Sequence, residues 1–417
     1  MKPQFLRFIL FSLLLVLPLA GAEATSDGEL VGTPTPLRNV PAEVAAIADG
    51  KMVAYYMPAI RGGQTIATAM LFIPKGPAPA GGWPLVVFGH DTTGWARECA
   101  PSVYLQKPPQ ETMLWYLTPW VVDMLKSGMV VIAPDYEGMG PAKLGVPDTG
   151  HPYYNLLSTG RSMAYAAVAA KRALGDKLSG AWASAGLSEG GFAALAAAQY
   201  SDLAKQRDAS LDYRGAAAAA PAMYRDELGA INWASIVEKS ITHDLEAGFD
   251  ELTFFNTEPM YIVKSAIGAG YQVNPADIFG DRLLRIYDTK IRLCLTELRA
   301  AVSQDVNEYW FENRLVNTPD KYPGLKIEAL SKNPGLKAFN EENQIRGQVK
   351  LPGDILLVQG TTDSASALPT TLRLAQALLL NGTNVRLAVY DGPDHFGVII
   401  PALPVMRAHL QKLFAKP

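Results

Sequence analysis

Short apolar segments bounded by glycine and proline alternate with longer helical patterns along most of the chain. The apolar segments include 84–88, 130–133, 181–187 and 354–359, and a helical pattern over 162–174 separates the second from the third. A short, continuously apolar segment is typical of a strand that is buried on both faces. The alternation therefore predicts an α/β fold, with a mostly parallel sheet and helices on both of its faces.

The pattern changes in the middle of the chain, over residues 221–350. Charged residues become more frequent there, helical patterns at 231–247 and 281–303 dominate, and strands no longer alternate with helices. We therefore expect a helical cap or lid over 221–350, inserted between two parts of one core that cover 25–220 and 351–417.

One segment before the expected insertion has two interpretations. Residues 215–219 continue the alternation as a strand, but alanine occupies every position from 216 to 220. Alanine has the highest intrinsic helix propensity, so a helix is the alternative.

The N-terminus has the features of a signal peptide. Lys2 and Arg7 precede an apolar run over 8–17, and small residues with A-x-A cleavage sites follow at 20–24. We therefore expect a cleaved signal peptide over 1–24 and a secreted or periplasmic protein. The alternative is an uncleaved anchor, although the run is shorter than the ~20 residues of a membrane span.

Composition excludes several classes of protein. The chain has 37 Lys+Arg against 40 Asp+Glu, so no strong positive field attracts nucleic acid. It has two cysteines, with neither a C-x-x-C nor an H-E-x-x-H motif, so we expect no cysteine-rich zinc site. No nucleic-acid partner and no metal are predicted.

The most informative local motif is a G-x-S-x-G sequence centred on Ser188. An apolar strand pattern precedes Gly186, and a helix of small residues follows Gly190. Strand, tight turn and helix form the context of a nucleophile elbow, in which glycines remove side chains that would collide. Ser188 is therefore the candidate nucleophile.

A serine nucleophile needs a base and an acid that orients the base. His395 and Asp363 each follow a predicted strand, and the order Ser188, Asp363, His395 is that of α/β-hydrolases. The alternatives are His90 as the base and Asp391 or Asp394 as the acid. Both of these carboxylates lie so close to His395 in sequence that facing its imidazole would need a tight turn.

The tetrahedral oxyanion of such a reaction needs two amide donors. We expect one to be the backbone amide of Glu189, directly after the nucleophile. The loop after the strand at 84–88 reads G-H-D-T-T-G, and it offers the amide of Asp91 or of Thr92 as the second donor.

Four stretches together resemble the secretory lipases of the α/β-hydrolase superfamily, the group that includes Candida lipase A and exported bacterial relatives. They are G-H-D-T-T-G at 89–94 with C-A-P-S at 99–102, D-Y-E-G-M-G at 135–140 with H-P-Y at 151–153, the elbow, and the Asp363–His395 tail. The resemblance covers about residues 85–400.

The resemblance implies an α/β-hydrolase fold with Ser188, Asp363 and His395 as the triad. It further implies amides of Asp91 or Thr92 and of Glu189 as the oxyanion hole, and a disulfide between two cysteines, Cys99 and Cys294.

Two positions depart from the pattern of that group. Asp91 stands where glycine is frequent, and Glu189 replaces the more usual glutamine. An ionised Glu189 would oppose the oxyanion unless its side chain points away.

The expected function is ester hydrolysis by a lipase or carboxylesterase, through an acyl-enzyme and without a cofactor. Its substrate would be a small-molecule or lipid ester, from triacylglycerols to short soluble esters or a polyester, with transient contact at a lipid interface and no obligate protein partner. Apolar cap residues would line an acyl pocket: Phe254, Phe255, Met260, Tyr261, Ile262 and Trp310.

Two other functions fit the same scaffold. An exported peptidase or amidase could bind a substrate amine through an acidic part of the cap, which contains Asp244, Glu246, Asp250 and Glu251. A binding protein without catalytic activity is the third possibility, and the complete Ser/Asp/His set argues against it.

Overall fold

One nine-stranded sheet organises the part of the chain that the computed structural model describes, residues 27–104, 117–313 and 318–415. The expected signal peptide over 1–24 lies outside these residues. The strands are β1 (Thr35–Pro36), β2 (Ala48–Pro58), β3 (Gln64–Pro74), β4 (Trp83–Gly89), β5 (Val130–Pro134), β6 (Leu178–Leu187), β7 (Asp212–Ala219), β8 (Asp354–Gly360) and β9 (Asn384–Tyr390).

The sheet is antiparallel at its start and parallel afterwards. Its strand order is β1-β2-β3-β5-β4-β6-β7-β8-β9. Strands β1, β2, β3 and β5 pair antiparallel, and β5, β4, β6, β7, β8 and β9 all run parallel. The predicted, mostly parallel α/β architecture is confirmed.

The helices of the core come before and after the inserted segment. They are α1 (Ala42–Ile47), α2 (Pro101–Tyr104), α3 (Leu117–Lys126), α4 (Leu156–Leu174), α5 (Glu189–Gln199), α6 (Asp202–Arg207), α14 (Leu368–Leu380) and α15 (Ile399–Ala415). Short 3-10 turns occur at Arg97–Cys99, Ala142–Leu144, Gly175–Lys177 and, between β7 and β8, Pro319–Lys321.

Helices cover both faces of the sheet, as strand β4 illustrates. Val86 and Phe88 pack in a core with residues of α3 and α15, whereas Leu85 and Val87 pack in a second core with α4. Successive side chains of a strand point to opposite faces, so a continuously apolar strand serves both cores.

The alanine-rich segment is a strand, β7. It pairs with β6 on one side and with β8 on the other, and Ala216 to Ala219 are fully buried. Pairing in the centre of the sheet outweighs the intrinsic helix propensity of alanine, which is a weak preference.

Seven helices lie between β7 and β8 in the described part of the chain. They are α7 (Arg225–Thr242), α8 (Leu245–Gly268), α9 (Pro275–Ile278), α10 (Asp281–Lys290), α11 (Leu295–Glu312), α12 (Ile327–Lys332) and α13 (Pro334–Glu342). We refer to these seven helices and their connections as the inserted helices.

The two helical patterns predicted here are helical over most of their length, and each is divided between two helices. The pattern at 231–247 is divided at His243, whose left-handed conformation (φ 58°) ends α7 before α8 begins. The pattern at 281–303 is divided between α10 and α11. Cys294 is extended there, since it is bonded to Cys99 and bridged to Gly94.

Within residues 27–104, 117–313 and 318–415, no helix has the length and apolar character needed to cross a bilayer.

Candidate active site

Ser188 occupies the sharp turn between β6 and α5. Its backbone is left-handed (φ 59°, ψ −119°), a strained conformation for a residue with a side chain. A Cβ at Gly186 would collide with the carbonyl of Gly190, and one at Gly190 with the carbonyl of Gly89. The Ser188 amide donates to the Ala219 carbonyl on β7 (3.0 Å), which ties the turn to the sheet.

His395 and Asp363 meet at the carboxyl end of the same sheet, where open α/β sheets place their sites. Asp363 follows β8, His395 follows β9, and His395 Nδ1 lies 2.9 Å from Asp363 Oδ2. Both side chains are buried. The pairing leaves Nε2 as the nitrogen that can accept a proton.

Four donors hold the Asp363 carboxylate. Oδ1 accepts hydrogen bonds from the backbone amides of Ala365 (2.9 Å) and Ser366 (2.8 Å). Oδ2 accepts from Gln359 Nε2 (2.8 Å) as well as from His395. Each carboxylate oxygen therefore has its own donors, which fix the orientation of the Asp363 side chain and, through it, that of the His395 imidazole.

The alternative residues make other contacts. His90 Nδ1 donates to the Asp91 carbonyl (2.6 Å), and its ring stacks on Tyr136. Asp391 accepts a hydrogen bond from Thr361 (3.2 Å), and Asp394 accepts one from the Gly397 amide (2.6 Å). It is Asp363 that bonds to His395.

The His395 imidazole is surrounded by carboxylates. Burial lowers the pKa of His395, but the charge and hydrogen bond of Asp363, with the charges of Asp91 and Glu258, outweigh it and raise this pKa to about 9. The negative charge near His395 therefore favours the protonated form of its imidazole.

The Asp91 carboxyl is buried near the candidate catalytic residues, and it accepts a hydrogen bond from the Thr92 amide (2.6 Å). Burial raises the pKa of Asp91, while the charge of His395, the Thr92 amide and the Ser188 hydroxyl oppose that rise. The Thr92 amide is therefore occupied by the Asp91 side chain.

Removing the charge of Asp91 is expected to lower the pKa of His395. The Asp91→Asn substitution withdraws a negative charge that stabilises the imidazolium, so the midpoint of His395 titration should move from about 9 to lower pH. NMR titration of the His395 ring protons measures this shift. Asp123→Asn, which removes a carboxylate bonded to Arg407, is the control and should leave the midpoint unchanged. An unchanged midpoint in Asp91→Asn would contradict the electrostatic role of Asp91.

The Glu189 carboxylate is bound by a histidine that the sequence analysis missed. His151 Nε2 lies 2.7 Å from Glu189 Oε1, both side chains are buried, and His151 Nδ1 lies 3.2 Å from the Glu137 carbonyl. The H-P-Y motif was the available signal for this partner. The bond fixes the Glu189 side chain, while its amide begins α5.

A second buried network joins two of the motifs. Asp135 accepts hydrogen bonds from the Ser102 hydroxyl (2.6 Å), the Ser102 amide (3.0 Å) and Thr68 Oγ1 (2.6 Å). Burial raises the pKa of Asp135 to about 6, against the effect of these bonds. The C-A-P-S and D-Y-E-G-M-G segments are thereby held together beside the loop 90–94.

The inserted helices are fastened to the loop 90–94. Cys99 and Cys294 form a disulfide, as the resemblance implied, and the Leu295 amide donates to the Thr93 carbonyl (2.9 Å). The start of α11 is therefore held beside the expected oxyanion residues.

Comparison with solved structures identifies the fold. Along 94% of this chain and 100% of the other, the structure matches the rice cell wall degrading esterase LipA from Xanthomonas oryzae, with a TM-score of 0.66 and 16% identity. It also matches Candida antarctica lipase A in its closed state over 93% of this chain and 82% of the other (TM-score 0.63, 15% identity). The chain has the lipase A-like α/β-hydrolase fold. No protein-family model and no curated protein matches the sequence.

A partly open cavity of about 140 Å³ lies among the inserted helices of this lipase A-like fold. Residues of α7, α8, α12 and α13 line it, together with Ala365, whose amide bonds to Asp363. Of the residues expected in an acyl pocket, three line the cavity, namely Phe254, Phe255 and Ile262. Met260 and Tyr261 are instead fully buried in the core, and Trp310 packs on Phe249 and Phe311.

A carboxyl outside the expected acidic run lines this cavity. Asp244, Glu246 and Asp250 are exposed and Glu251 pairs with Lys239 (2.7 Å), and none of these four lines the cavity. Glu258 does line it, 3.9 Å from Arg299. Burial raises the pKa of Glu258 to about 7 against the charge of Arg299, with Asp91 adding to the rise.

Among the residues that the structure describes, no group of three or more histidine, cysteine, aspartate or glutamate side chains is placed to hold a metal ion.

Proposed function

We propose that this chain is a serine hydrolase that cleaves carboxylic esters through an acyl-enzyme. The observation that carries the proposal is the strained Ser188 turn at the carboxyl end of the sheet, where the buried His395–Asp363 pair also lies. The lipase A-like fold supports it, since the structural neighbours include an esterase and a lipase.

In the proposed reaction, Ser188 Oγ attacks the ester carbonyl carbon while His395 Nε2 takes its proton. The tetrahedral intermediate collapses, the C–O bond to the alcohol breaks, and His395 protonates the departing alkoxide. Water then attacks the acyl-enzyme with His395 again as the base, which releases the acid and restores Ser188. Asp363 orients the imidazole and stabilises its charged form throughout.

Two backbone amides would hold the oxyanion in this reaction. The Glu189 amide, at the start of α5, is the first donor, and the dipole of that helix favours negative charge there. The Thr92 amide is bonded to the Asp91 carboxylate, which favours the Asp91 amide as the second donor. The bond between Glu189 and His151 keeps the Glu189 carboxylate engaged.

The proposal includes the domain organisation and the compartment. Residues 25–220 and 351–417 form the catalytic core, and residues 221–350 form a cap that supplies the acyl pocket. A disulfide is typical of an oxidising compartment, so Cys99–Cys294 and the signal sequence over 1–24 support a secreted or periplasmic enzyme.

Initial rates on p-nitrophenyl esters from C2 to C16 test this function. The cavity of about 140 Å³ is similar in size to a cavity of ~150 Å³ that holds benzene, so we expect the highest kcat/KM at acyl chains of about six carbons or fewer. That result would define a carboxylesterase. A maximum at C8 or longer would contradict the assigned pocket, and no activity on any ester would overturn the proposed reaction.

A further inference from the structure

Arg225, the first residue of α7, is a buried cation whose hydrogen bonds go to the side chain of one asparagine and the backbone of another. It is 8% exposed, its Nε donates to Asn340 Oδ1 (3.3 Å), and its Nη2 donates to the Asn343 carbonyl (3.1 Å). Its guanidinium lies over the rings of Tyr154 (4.6 Å) and Phe192 (5.8 Å). Within the described residues, Nη1 has no hydrogen-bond partner and no ion pair includes Arg225.

The hydroxyl of Tyr154, whose ring lies under the Arg225 guanidinium, is a second donor. Tyr154 is 1% exposed, and its hydroxyl also has no hydrogen-bond partner within the part of the chain that the structure describes. Arg225 and Tyr154 both line the cavity between the inserted helices. Buried tyrosine hydroxyls and buried charges usually have partners, because leaving them unpaired costs free energy. Two donors without a partner in the described part of the chain therefore belong to residues that line one cavity.

The rest of the cavity wall is largely apolar. Phe254, Phe255, Leu336 and Ile262 are among the side chains that form it. Burial lowers the pKa of Arg225 to about 10, so the guanidinium stays charged at neutral pH. A guanidinium presents several N–H groups in a plane that matches a carboxylate. The complementary ligand therefore has a hydrocarbon body and an anionic oxygen group at one end.

The cavity is next to the candidate catalytic residues. Phe192, whose ring centroid lies 5.8 Å from the Arg225 guanidinium, is one helical turn after Ser188 and donates its amide to the Ser188 carbonyl (2.9 Å). At another part of the wall, the Ala365 amide bonds to Asp363. Phe192 and Ala365 thus connect the surroundings of the cavity to Ser188 and Asp363, and the proposal below requires that a chain attached at Ser188 extend toward Arg225.

We propose that this cavity binds the distal carboxylate of a dicarboxylic acid half-ester, with Arg225 Nη1 and the Tyr154 hydroxyl as the donors. The inference rests on the proposed ester hydrolysis and names its substrate class. The volume of the cavity suits a body of about six carbons, because a ~150 Å³ cavity accommodates benzene.

Two carboxyls of the cavity wall would favour a ligand with a distal ammonium group, which is the competing outcome of the test. Asp226 is exposed, and Glu258 lies beside Arg299. If these carboxyls select the ligand, a distal ammonium group should bind better than a distal carboxylate. Three six-carbon acids distinguish a carboxylate-selective from an ammonium-selective cavity. Adipate carries a distal carboxylate, hexanoate a distal methyl group and 6-aminohexanoate a distal ammonium group.

Calorimetric binding of these three acids to the wild-type chain tests the proposal without requiring turnover. Adipate should bind at least about tenfold more tightly than hexanoate, the effect of one charge-assisted hydrogen-bonded pair. Tighter binding of 6-aminohexanoate, or equal binding of adipate and hexanoate, would overturn the proposal.

Two variants locate the effect. Tyr154→Phe keeps the ring and removes a hydroxyl without a partner, so it should fold normally, weaken adipate binding several-fold and leave hexanoate binding unchanged. Arg225→Met should abolish the preference for adipate. Arg285→Met is the control, because it removes an exposed charge from α10 outside the cavity. An unaltered adipate preference in both Tyr154→Phe and a folded Arg225→Met would contradict the assignment.

Turnover separates this proposal from the proposed function. The kcat/KM for monoethyl adipate should exceed that for ethyl hexanoate by about tenfold. Selective adipate binding without hydrolysis of either ester would overturn the proposed reaction and leave the carboxylate site standing. Equal hydrolysis of both esters would overturn the carboxylate site and leave the esterase standing.

Discussion

Replacing Ser188 with alanine is expected to lower kcat/KM for a short p-nitrophenyl ester by about 10³-fold or more. The acyl-enzyme forms only on the Ser188 oxygen, and the oxyanion amides alone cannot replace a nucleophile. The substitution removes one oxygen from a residue whose left-handed backbone is held by neighbouring glycines and by the Ala219 carbonyl. Initial rates over a range of ester concentrations measure the loss.

The control for this loss is Ser201→Ala. Ser201 lies just after α5 and its hydroxyl donates to the Ala198 carbonyl (3.1 Å), so it has the same chemistry away from the site. Its rate should match that of the wild type, and thermal unfolding should show that both variants fold. Retention of more than a tenth of the activity by folded Ser188→Ala would mean that another residue is the nucleophile.

Asp363→Asn should reduce kcat by about 10⁴-fold through a change of histidine tautomer. Oδ1 accepts two amide hydrogens, from Ala365 and Ser366, so the oxygen of the new side chain is held at that position. Its NH₂ group then points at His395 Nδ1, which must accept a hydrogen bond instead of donating one. The proton moves to Nε2, and the imidazole can no longer take the proton of Ser188.

The pH dependence provides a second readout for Asp363→Asn. Loss of the Asp363 charge removes the largest contribution that raises the pKa of His395, so this pKa should fall from about 9 toward its ordinary value of about 6.5. The wild type should gain kcat/KM as pH rises toward 9, because His395 must be neutral to act as a base. Asp394→Asn is the matched control, and equal losses in both variants would contradict the assignment of Asp363.

The parts of the site that could be predicted from sequence are those with local signals. The strand before Ser188 and the helix after it are encoded in adjacent residues, and so is the turn that joins them. Asp363 and His395 are separated by 32 residues, but each follows its own strand, and parallel strands bring their carboxyl ends together. Strand periodicity was therefore enough to propose which residues meet.

The contacts that sequence analysis missed join distant segments through side chains. His151 meets Glu189 across 38 residues, and Arg225 meets Asn340 across 115. No periodic pattern encodes such pairs, because the orientation of each side chain depends on how whole elements pack. The division of the helix expected at 281–303 has the same origin, since Cys294 is extended where the disulfide joins it to Cys99.

Covalent labelling by a fluorophosphonate tests the central claim most directly, because this reagent reacts with an activated serine and needs no knowledge of the substrate. The account predicts a single adduct by intact mass, located by peptide mapping to Ser188, and no adduct on Ser188→Ala. Labelling should be faster at pH 9 than at pH 7, since more His395 is then neutral. An adduct on another residue, or no adduct on a folded wild-type chain, would contradict the account.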